Sequence, residues 1–186
     1  MTETLENKCK RLEHFETPVW AVKAILDVET LGDHLIIDPC CGTGILANEA
    51  MDRGYQVQCV DINDWGYAPT ILNDYLIDYN PPHKEHSVLM NPPFSKAVQF
   101  VEKSLSDGAE KVVCFQRFAW WESKVRRKFW EKNPPSKVYI CGDRAASWRH
   151  DIPIEGRKSS SPTAHAWFIW DKGHSGKTEL RHIWKS

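Results

Sequence analysis

The string Asn91-Pro92-Pro93-Phe94 could hold a planar amine, and it follows directly after the apolar run 87–90. That run predicts a short buried strand, which the two prolines end because they have no backbone N–H. The side-chain oxygen of Asn91 and the carbonyl of Pro92 would then offer two acceptors for the two hydrogens of an exocyclic NH2 group. Phe94 could stack on the ring that bears this amine. The alternative is a Pro-Pro turn whose aromatic residue only packs.

A glycine turn upstream could bind a nucleotide-like ligand. The β-rich run 34–38 leads into Pro39-Cys40-Cys41-Gly42-Thr43-Gly44 and then into the helix-like segment 45–51. A strand, a tight glycine turn and a helix N-terminus form the first unit of a doubly wound sheet. With Ala47 in the place of a third glycine, the spacing allows NAD. Asp38 would repel a phosphate but could accept a hydrogen bond from an ammonium group, which favours a ligand with an amino-acid end.

The order of these strings resembles a known family. Asp38-Pro39-Cys40-Cys41-Gly42-Thr43-Gly44 resembles motif I of S-adenosylmethionine-dependent methyltransferases, and Asn91-Pro92-Pro93-Phe94 resembles motif IV of the amino-methyltransferases, particularly the DNA N6-adenine group. Three shorter pieces occur in the same order as in that family: Phe15-Glu16-Thr17-Pro18, Val60-Asp61-Ile62 and Asn73-Asp74-Tyr75-Leu76. The likeness spans residues 15–94, and the tail 164–173 is loosely similar to small phage-type adenine methyltransferases.

The resemblance implies S-adenosyl-L-methionine as cofactor and methyl transfer to the N6 amine of adenine in DNA. It implies that Phe15 and Thr17 help to hold the methionine part of the cofactor, that Asp61 binds ribose hydroxyls, and that Asp74 accepts from the cofactor's adenine amine. The cofactor residues it implies are Phe15, Thr17, Asp38, Pro39, Cys40, Gly42, Gly44, Asp61, Ile62, Asp74, Tyr75 and Asn91. The catalytic residues it implies are Asn91, Pro92 and Phe94.

An adenine in duplex DNA must leave the base stack before its N6 amine can react. The base would then enter a pocket between Phe94 and a second aromatic residue, for which the sequence offers Trp148, with Arg144 nearby as a further substrate contact. The alternative for Trp148 is a loop tryptophan that closes the core. Because the sulfonium methyl group is already activated, the reaction needs mainly placement and alignment from the protein.

Charge is distributed unevenly along the chain. Residues 117–158 contain eleven Lys or Arg against five Asp or Glu, a net charge of +6, whereas the whole chain carries −1 and the remainder therefore −7. This asymmetry predicts a DNA-binding face on the C-terminal half. The alternative is an ordinary solvated helix surface at 124–128.

Alternating elements predict an α/β fold with a doubly wound, mostly parallel seven-stranded sheet and an antiparallel edge strand. The resemblance implies that this is the Rossmann-like fold of class I methyltransferases. The predicted strands are 35–38, 56–61, 70–72, 87–90, 111–115, 137–140 and 166–170. The predicted helices are one capped by Thr17 with Pro18 at its first position, then 45–53, 96–106 and 120–132. We expect one domain over 1–186, with a short insertion at about 141–161 and no separate target-recognition domain.

Several classes of function are disfavoured by the sequence. Its apolar runs are far shorter than the roughly 20 residues that span a bilayer, and its start does not resemble a signal peptide, so we expect a cytoplasmic protein of a bacterial or phage-infected cell and no membrane partner. Six cysteines without a Cys-x-x-Cys pair predict reduced thiols. The pair His83 and His86 lies in a polar loop, so we expect no metal site, and we expect a monomer.

Other functions stay open at this point. RNA or a protein glutamine could replace DNA as acceptor, because Asn-Pro-Pro-aromatic turns act on planar amines in those families too. A catalytically silent cofactor-binding module and a dinucleotide oxidoreductase are the remaining alternatives. A short insertion predicts that target recognition is short, loose or delegated to a partner.

Overall fold

The computed structural model describes residues 3–157 and 162–186. The strands of this described part are β1 (Phe15–Glu16), β2 (Leu35–Asp38), β3 (Val57–Asp61), β4 (Thr70–Leu72), β5 (His86–Met90), β6 (Lys111–Arg117), β7 (Lys137–Cys141), β8 (Trp148–Arg149), β9 (His165–Asp171) and β10 (Glu179–Ile183). Its α-helices are α1 (Leu5–Arg11), α2 (Val19–Val28), α3 (Ile45–Met51), α4 (Ala97–Ser106) and α5 (Arg127–Lys132).

Within the described chain, eight of these strands form one sheet in the order β4-β3-β2-β5-β6-β9-β7-β10. Neighbours are parallel except at β9, which runs antiparallel to both β6 and β7. The chain moves outward from β2 through β3 to β4, then crosses back to β5 and continues to β6. The strand order therefore reverses between β2 and β5, and the crevice at the carboxyl ends of these two strands is where such sheets bind ligands.

The predicted sheet is confirmed, with one correction to its edge. All seven predicted strands are present, and β7 and β9 pair antiparallel, with Val138 opposite Phe168. An eighth strand, β10, adds in parallel outside β7, so the antiparallel strand lies inside the sheet and not at its edge. Strand β10 has no clear apolar pattern, because only Ile183 of its five residues is buried and its other side chains face solvent, as is common in edge strands.

Helices cover both faces of the sheet, as a doubly wound fold requires. On one face, Ile25 of α2 and Leu46 of α3 pack against Ile36. On the other face, Phe100 of α4 and Phe129 of α5 belong to a second buried cluster. Truncation of such a side chain to alanine costs about 2–5 kcal/mol, so the two layers together hold the crevice in shape.

The helix predicted from Trp120 to Lys132 is wrong in its first half. A 3₁₀ turn at Phe118–Trp120 is followed by irregular backbone, and α5 begins only at Arg127. Val125 in this gap is 93% exposed, so the segment buries no apolar face that could stabilise a helix. The helix forms where Phe129 packs against the core.

A buried ionic network lies at the amino ends of the strands, opposite to the crevice. Glu29, which caps the C-terminus of α2, accepts hydrogen bonds from Lys111 at 2.6 Å, Lys137 at 2.8 Å and the Tyr139 hydroxyl at 2.6 Å. Burial alone would raise the pKa of Glu29, but these three donors lower it below its usual value. The network joins the amino ends of β6 and β7 to α2.

Candidate functional site

Asn91, the residue after β5, is anchored by the N-terminal segment. Its Nδ2 atom donates to the Phe15 carbonyl at 2.8 Å and to the Thr17 hydroxyl at 2.9 Å. Both amide hydrogens are thereby used, and the side-chain oxygen remains as an acceptor. Thr17 therefore does not cap α2 as predicted: Pro18 is the N-cap residue, without a side-chain hydrogen bond, and the Thr17 hydroxyl serves Asn91 instead.

Gln116 holds the second acceptor of the turn. This side chain near the end of β6 is 1% exposed, and its Nε2 donates to the Pro92 carbonyl at 2.9 Å. A carbonyl oxygen has two lone pairs, so the Pro92 oxygen keeps one for a ligand. Gln116 was not among the predicted site residues, although a polar residue after the apolar run 112–115 at the carboxyl end of a strand was a usable signal.

Phe94 lies between an aromatic ring and a guanidinium group. Its ring centroid is 5.4 Å from that of Phe15, with the planes tilted by 42°. The guanidinium carbon of Arg117 lies 4.1 Å from the same centroid. Both neighbours belong to elements that border the crevice.

Two adjoining cavities occupy the crevice, and they share His14, Cys40 and Gly42. Within the described chain, every cofactor residue that the resemblance implies lines one or both of them, except Gly44. The first cavity has Pro39, Cys40, Gly42, Asp61, Ile62, Asp74 and Tyr75 in its wall. The second has Phe15, Thr17, Asp38, Cys40, Gly42 and Asn91. The glycine turn therefore borders both cavities, and the Asn-Pro-Pro-Phe turn contributes Asn91 to the second and Pro93 to the first, whereas Pro92 and Phe94 line neither.

Asp38 presents a buried acceptor to the second cavity. Its side chain is 1% exposed, its Oδ1 accepts a hydrogen bond from the Cys40 amide at 3.4 Å, and its Oδ2 has no partner among the described residues. Burial raises the pKa of Asp38 well above its usual value. A buried acceptor without a partner is costly unless a ligand donor reaches it, and an ammonium group fits that need.

Two further carboxylates border the first cavity. Asp61 at the end of β3 accepts backbone hydrogen bonds from Gly42 at 3.0 Å and Asn63 at 2.8 Å, and burial raises its pKa. Asp74 uses Oδ1 to accept from the Leu76 amide at 2.9 Å. Each carboxylate keeps lone pairs for a further donor, as ribose hydroxyls or an adenine amine would supply.

Tyr75 and Gly44 have structural roles at this cleft. Tyr75 is 1% exposed, its hydroxyl contacts that of Ser104 at 3.0 Å, and its ring stacks on Phe100. It therefore forms the floor beneath Asp74. Gly44 is the N-cap residue of α3 with φ of +81°, a conformation that glycine adopts without strain.

His14 lines both cavities. A Cβ atom on Gly42, whose φ is +53°, would lie 2.7 Å from His14 Nε2, so only glycine leaves room for this imidazole. The ring lies 4.0 Å from that of Trp65 and stacks on His150 at 5.0 Å. Burial, together with the nearby His150, lowers the pKa of His14 to about 4. His14 and Trp65 were not among the predicted site residues, because neither lies in a motif.

The predicted insertion docks on the N-terminal segment. β8 pairs antiparallel with β1, which places Trp148 opposite Glu16. Glu16 also accepts from Arg157 at 2.6 Å and contacts Nδ1 of His150 at 2.7 Å. Arg144 is exposed and donates to the Pro162 carbonyl at 2.8 Å. Trp148 and Arg144 as substrate contacts stay predictions, and residues 158–161 of the insertion lie outside the described chain.

The positive charge of the C-terminal half is only partly directed at the cleft. Lys137 pairs with Glu29 at the amino ends of the strands, away from the crevice. Arg157 pairs with Glu16, and Arg149 pairs with Asp151 at 2.6 Å. Arg117 contacts the ring of Phe94, in the turn that follows β5. The net charge of the segment therefore overstates the charge that a nucleic acid would meet there.

Two other features, a metal-binding cluster and a membrane-spanning helix, are absent from the described residues. Residues 3–157 and 162–186 contain no group of three or more His, Cys, Asp or Glu side chains placed to hold a metal ion. The same residues include no helix with the length and apolar character needed to cross a bilayer.

Comparison with known proteins finds solved structures that share this fold. No protein-family model and no curated protein sequence matches the chain. A Pyrococcus horikoshii protein provisionally assigned as an RNA methyltransferase has a similar structure, with a TM-score of 0.62 and 18% identity over 92% of this chain and 99% of that one.

Two subunits of type I restriction-modification systems are also similar. The methyltransferase subunit from Streptococcus thermophilus has a TM-score of 0.64 and 12% identity over 91% of this chain. The provisionally assigned modification subunit from Vibrio vulnificus has a TM-score of 0.60 and 13% identity over 98% of this chain. This chain spans 47% and 53% of their respective lengths. These likenesses show the fold, which is that of the class I methyltransferases, as the resemblance implies.

Proposed function

We propose that this protein transfers the methyl group of S-adenosyl-L-methionine to the exocyclic N6 amine of adenine in DNA. The observation that carries the proposal is the orientation of Asn91, whose two amide hydrogens are bound by Phe15 and Thr17. Its oxygen is thereby committed as an acceptor beside the Pro92 carbonyl, which Gln116 holds. Two fixed acceptors on one turn match the two N–H groups of an exocyclic amine.

The cleft suits the proposed cofactor on chemical grounds. Asp38 would accept from its ammonium group through the oxygen that lacks a partner. Asp61 would bind the ribose hydroxyls, and Asp74 the adenine amine. When bound, the cofactor supplies an activated methyl group on a positively charged sulfur, so the protein needs no nucleophile of its own.

The protein's contribution to the reaction is placement and electrostatics. Asn91 and Pro92 would accept the two amine hydrogens, reduce the conjugation of the nitrogen lone pair with the ring and stabilise the positive charge that grows on nitrogen. Phe94 would stack on the adenine ring and fix its plane. None of these three residues titrates near neutral pH, so the proton that the amine loses goes to water.

DNA is the first candidate substrate because the motif order resembles DNA N6-adenine enzymes and because the fold also occurs in type I methyltransferase subunits. RNA is the second candidate. It is favoured by the Pyrococcus horikoshii protein, which is provisionally assigned as an RNA methyltransferase and which this chain matches over nearly its whole length.

The test is transfer of tritiated methyl groups from S-adenosylmethionine to unmethylated DNA, to RNA and to cell protein in parallel, followed by nucleoside or amino-acid analysis. N6-methyladenine in DNA is the expected product. Label confined to RNA would move the substrate to the second candidate, and label on glutamine would overturn both. Thermal stabilisation by NAD but not by S-adenosylmethionine would reject the methyltransferase proposal.

A further inference from the structure

Arg117 ends β6 beside the proposed target-base site, and its side chain is exposed. Its guanidinium carbon lies 4.1 Å from the centroid of the Phe94 ring, a distance typical of a cation–π contact. Among the described residues no Asp or Glu forms an ion pair with Arg117. The guanidinium group is therefore held mainly by the aromatic ring, and an exposed contact of this kind is weak.

The other neighbour of Phe94 cannot move as easily. Phe15, whose ring lies 5.4 Å away, belongs to β1, which pairs with β8, and its carbonyl accepts the hydrogen bond from Asn91. Displacement of Phe15 would disturb the amide that the proposed reaction needs. Arg117 is thus the neighbour that can leave when another planar group approaches Phe94.

Arg117 is also the positive charge at this end of β6. His165, its partner on β9, is 3% exposed, and burial together with the Arg117 charge lowers the pKa of His165 to about 4. His165 is therefore neutral at pH 7. The exposed guanidinium group of Arg117 is therefore available to pair with a phosphate close to the target base.

We propose that Arg117 occupies the place on Phe94 where the target base stacks, and that the incoming base displaces the guanidinium group toward the nucleic-acid backbone. This inference rests on the proposed function. It assigns Arg117 two opposing effects, since the side chain competes with a base for the ring and attracts the phosphates around that base. The two effects can be separated with an uncharged ligand and a charged one.

The experiment measures two dissociation constants for the wild-type protein, Arg117→Ala and Arg117→Lys, with S-adenosylhomocysteine saturating the cofactor cleft. The uncharged probe is adenosine, followed by calorimetry. The charged probe is a fluorescent mixed-sequence single-stranded DNA, followed by anisotropy at 50 and 200 mM salt. Phe94→Ala is the control that removes the stacking ring. Thermal unfolding checks that each variant is folded.

We expect Arg117→Ala to bind adenosine about three- to fivefold more tightly than the wild type, because a weak cation–π contact no longer competes. The same variant should bind DNA more weakly and with a smaller salt dependence. Arg117→Lys, which keeps the charge but loses the planar group, should bind DNA like the wild type and adenosine more tightly.

Adenosine affinity that is unchanged or weaker in Arg117→Ala, while Phe94→Ala still abolishes adenosine binding, would overturn the role of Arg117 alone. Adenosine binding that survives in Phe94→Ala would instead count against the proposed function, because the base would then not use this ring. The two failures are therefore distinguishable.

Discussion

The side-chain nitrogen of Asn91 donates to the hydroxyl of Thr17 at 2.9 Å, across 74 residues of sequence. This hydrogen bond joins the turn after β5 to the segment that precedes α2. It gives a role to a threonine that does not cap α2: the Phe15 carbonyl, which can only accept, selects the orientation of the Asn91 amide, and the Thr17 hydroxyl stabilises that orientation as a second acceptor. The acceptor needed for an amine substrate is thus set by a part of the chain remote in sequence.

Replacement of Thr17 by valine keeps the shape of the side chain but removes this acceptor. We expect the kcat for methyl transfer to fall about five- to tenfold, since one hydrogen bond contributes about 1 kcal/mol. Thr17→Ser keeps the hydroxyl and should retain most of the activity. Steady-state kinetics on the labelled substrate measure both. Equal rates for Thr17→Val and the wild type would show that the Phe15 carbonyl alone orients the amide.

Asp38 should control cofactor affinity. In Asp38→Asn the charged partner of the cofactor's ammonium group is lost, and we expect the dissociation constant for S-adenosylmethionine to rise about 10- to 100-fold, as for a charge-assisted hydrogen bond. Calorimetry measures it. Asp33→Asn is the matched control, because Asp33 is exposed just before the opposite end of β2. If both variants bound the cofactor like the wild type, Asp38 would not contact it.

Gln116 should affect the rate and not cofactor binding. In Gln116→Leu the Pro92 carbonyl loses the donor that holds it at 2.9 Å, so we expect a kcat about tenfold lower with the cofactor dissociation constant unchanged. Gln116→Glu should be slower still at neutral pH, because a carboxylate cannot donate to a carbonyl. Single-turnover rates and calorimetry separate the two quantities. A weakened cofactor affinity at normal kcat would contradict this role.

The stability of the protein should fall in mild acid. The pKa of His165 is lowered to about 4 in the folded protein, whereas an unfolded histidine titrates near 6.5. The unfolded state therefore binds more protons between these values. The contribution of His165 to the free energy of unfolding is complete above pH 6.5 and is lost as the pH falls toward 4. His165 should contribute up to about 3 kcal/mol of this loss, and His14 adds to it.

His165→Phe tests this contribution, because it keeps an aromatic ring on Phe115 but cannot take up a proton. Urea unfolding at several pH values should give a shallower decline between pH 6.5 and 4 than in the wild type. The absolute stability at pH 8 does not matter for the comparison. Parallel curves for the two proteins would show that His165 titrates normally.

Sequence patterns predicted the parts of the fold that are locally encoded. The buried strands β2, β5 and β6 are apolar runs, and the glycine turn and the Asn-Pro-Pro-Phe turn directly follow two of them. Because parallel strands end at one edge, the meeting of the two turns at a single crevice was predictable. The exposed edge strand β10 and the two-stranded ribbon of β1 and β8 carry no such pattern.

Long-range contacts made the remaining features unpredictable. His14 lines both cavities in a setting that depends on an insertion more than a hundred residues later, because β1 pairs with β8 and the His14 ring stacks on His150. In the sequence, Arg117 is one of eleven basic residues in the segment 117–158. Its position on the Phe94 ring depends on how β5 and β6 pair. Such placements follow from tertiary packing, which local periodicity does not encode.

The proposed role of Asn91 is to bind an adenine amine next to a cofactor that the glycine turn holds. Its most direct test measures, on the same preparations of wild-type protein and Asn91→Ala, the dissociation constant for S-adenosylmethionine and the rate at which N6-methyladenine forms in unmethylated DNA. We predict equal cofactor affinity within about twofold and a rate lower by about 100-fold or more in the variant. N6-methyladenine formation at the wild-type rate by Asn91→Ala would contradict the account.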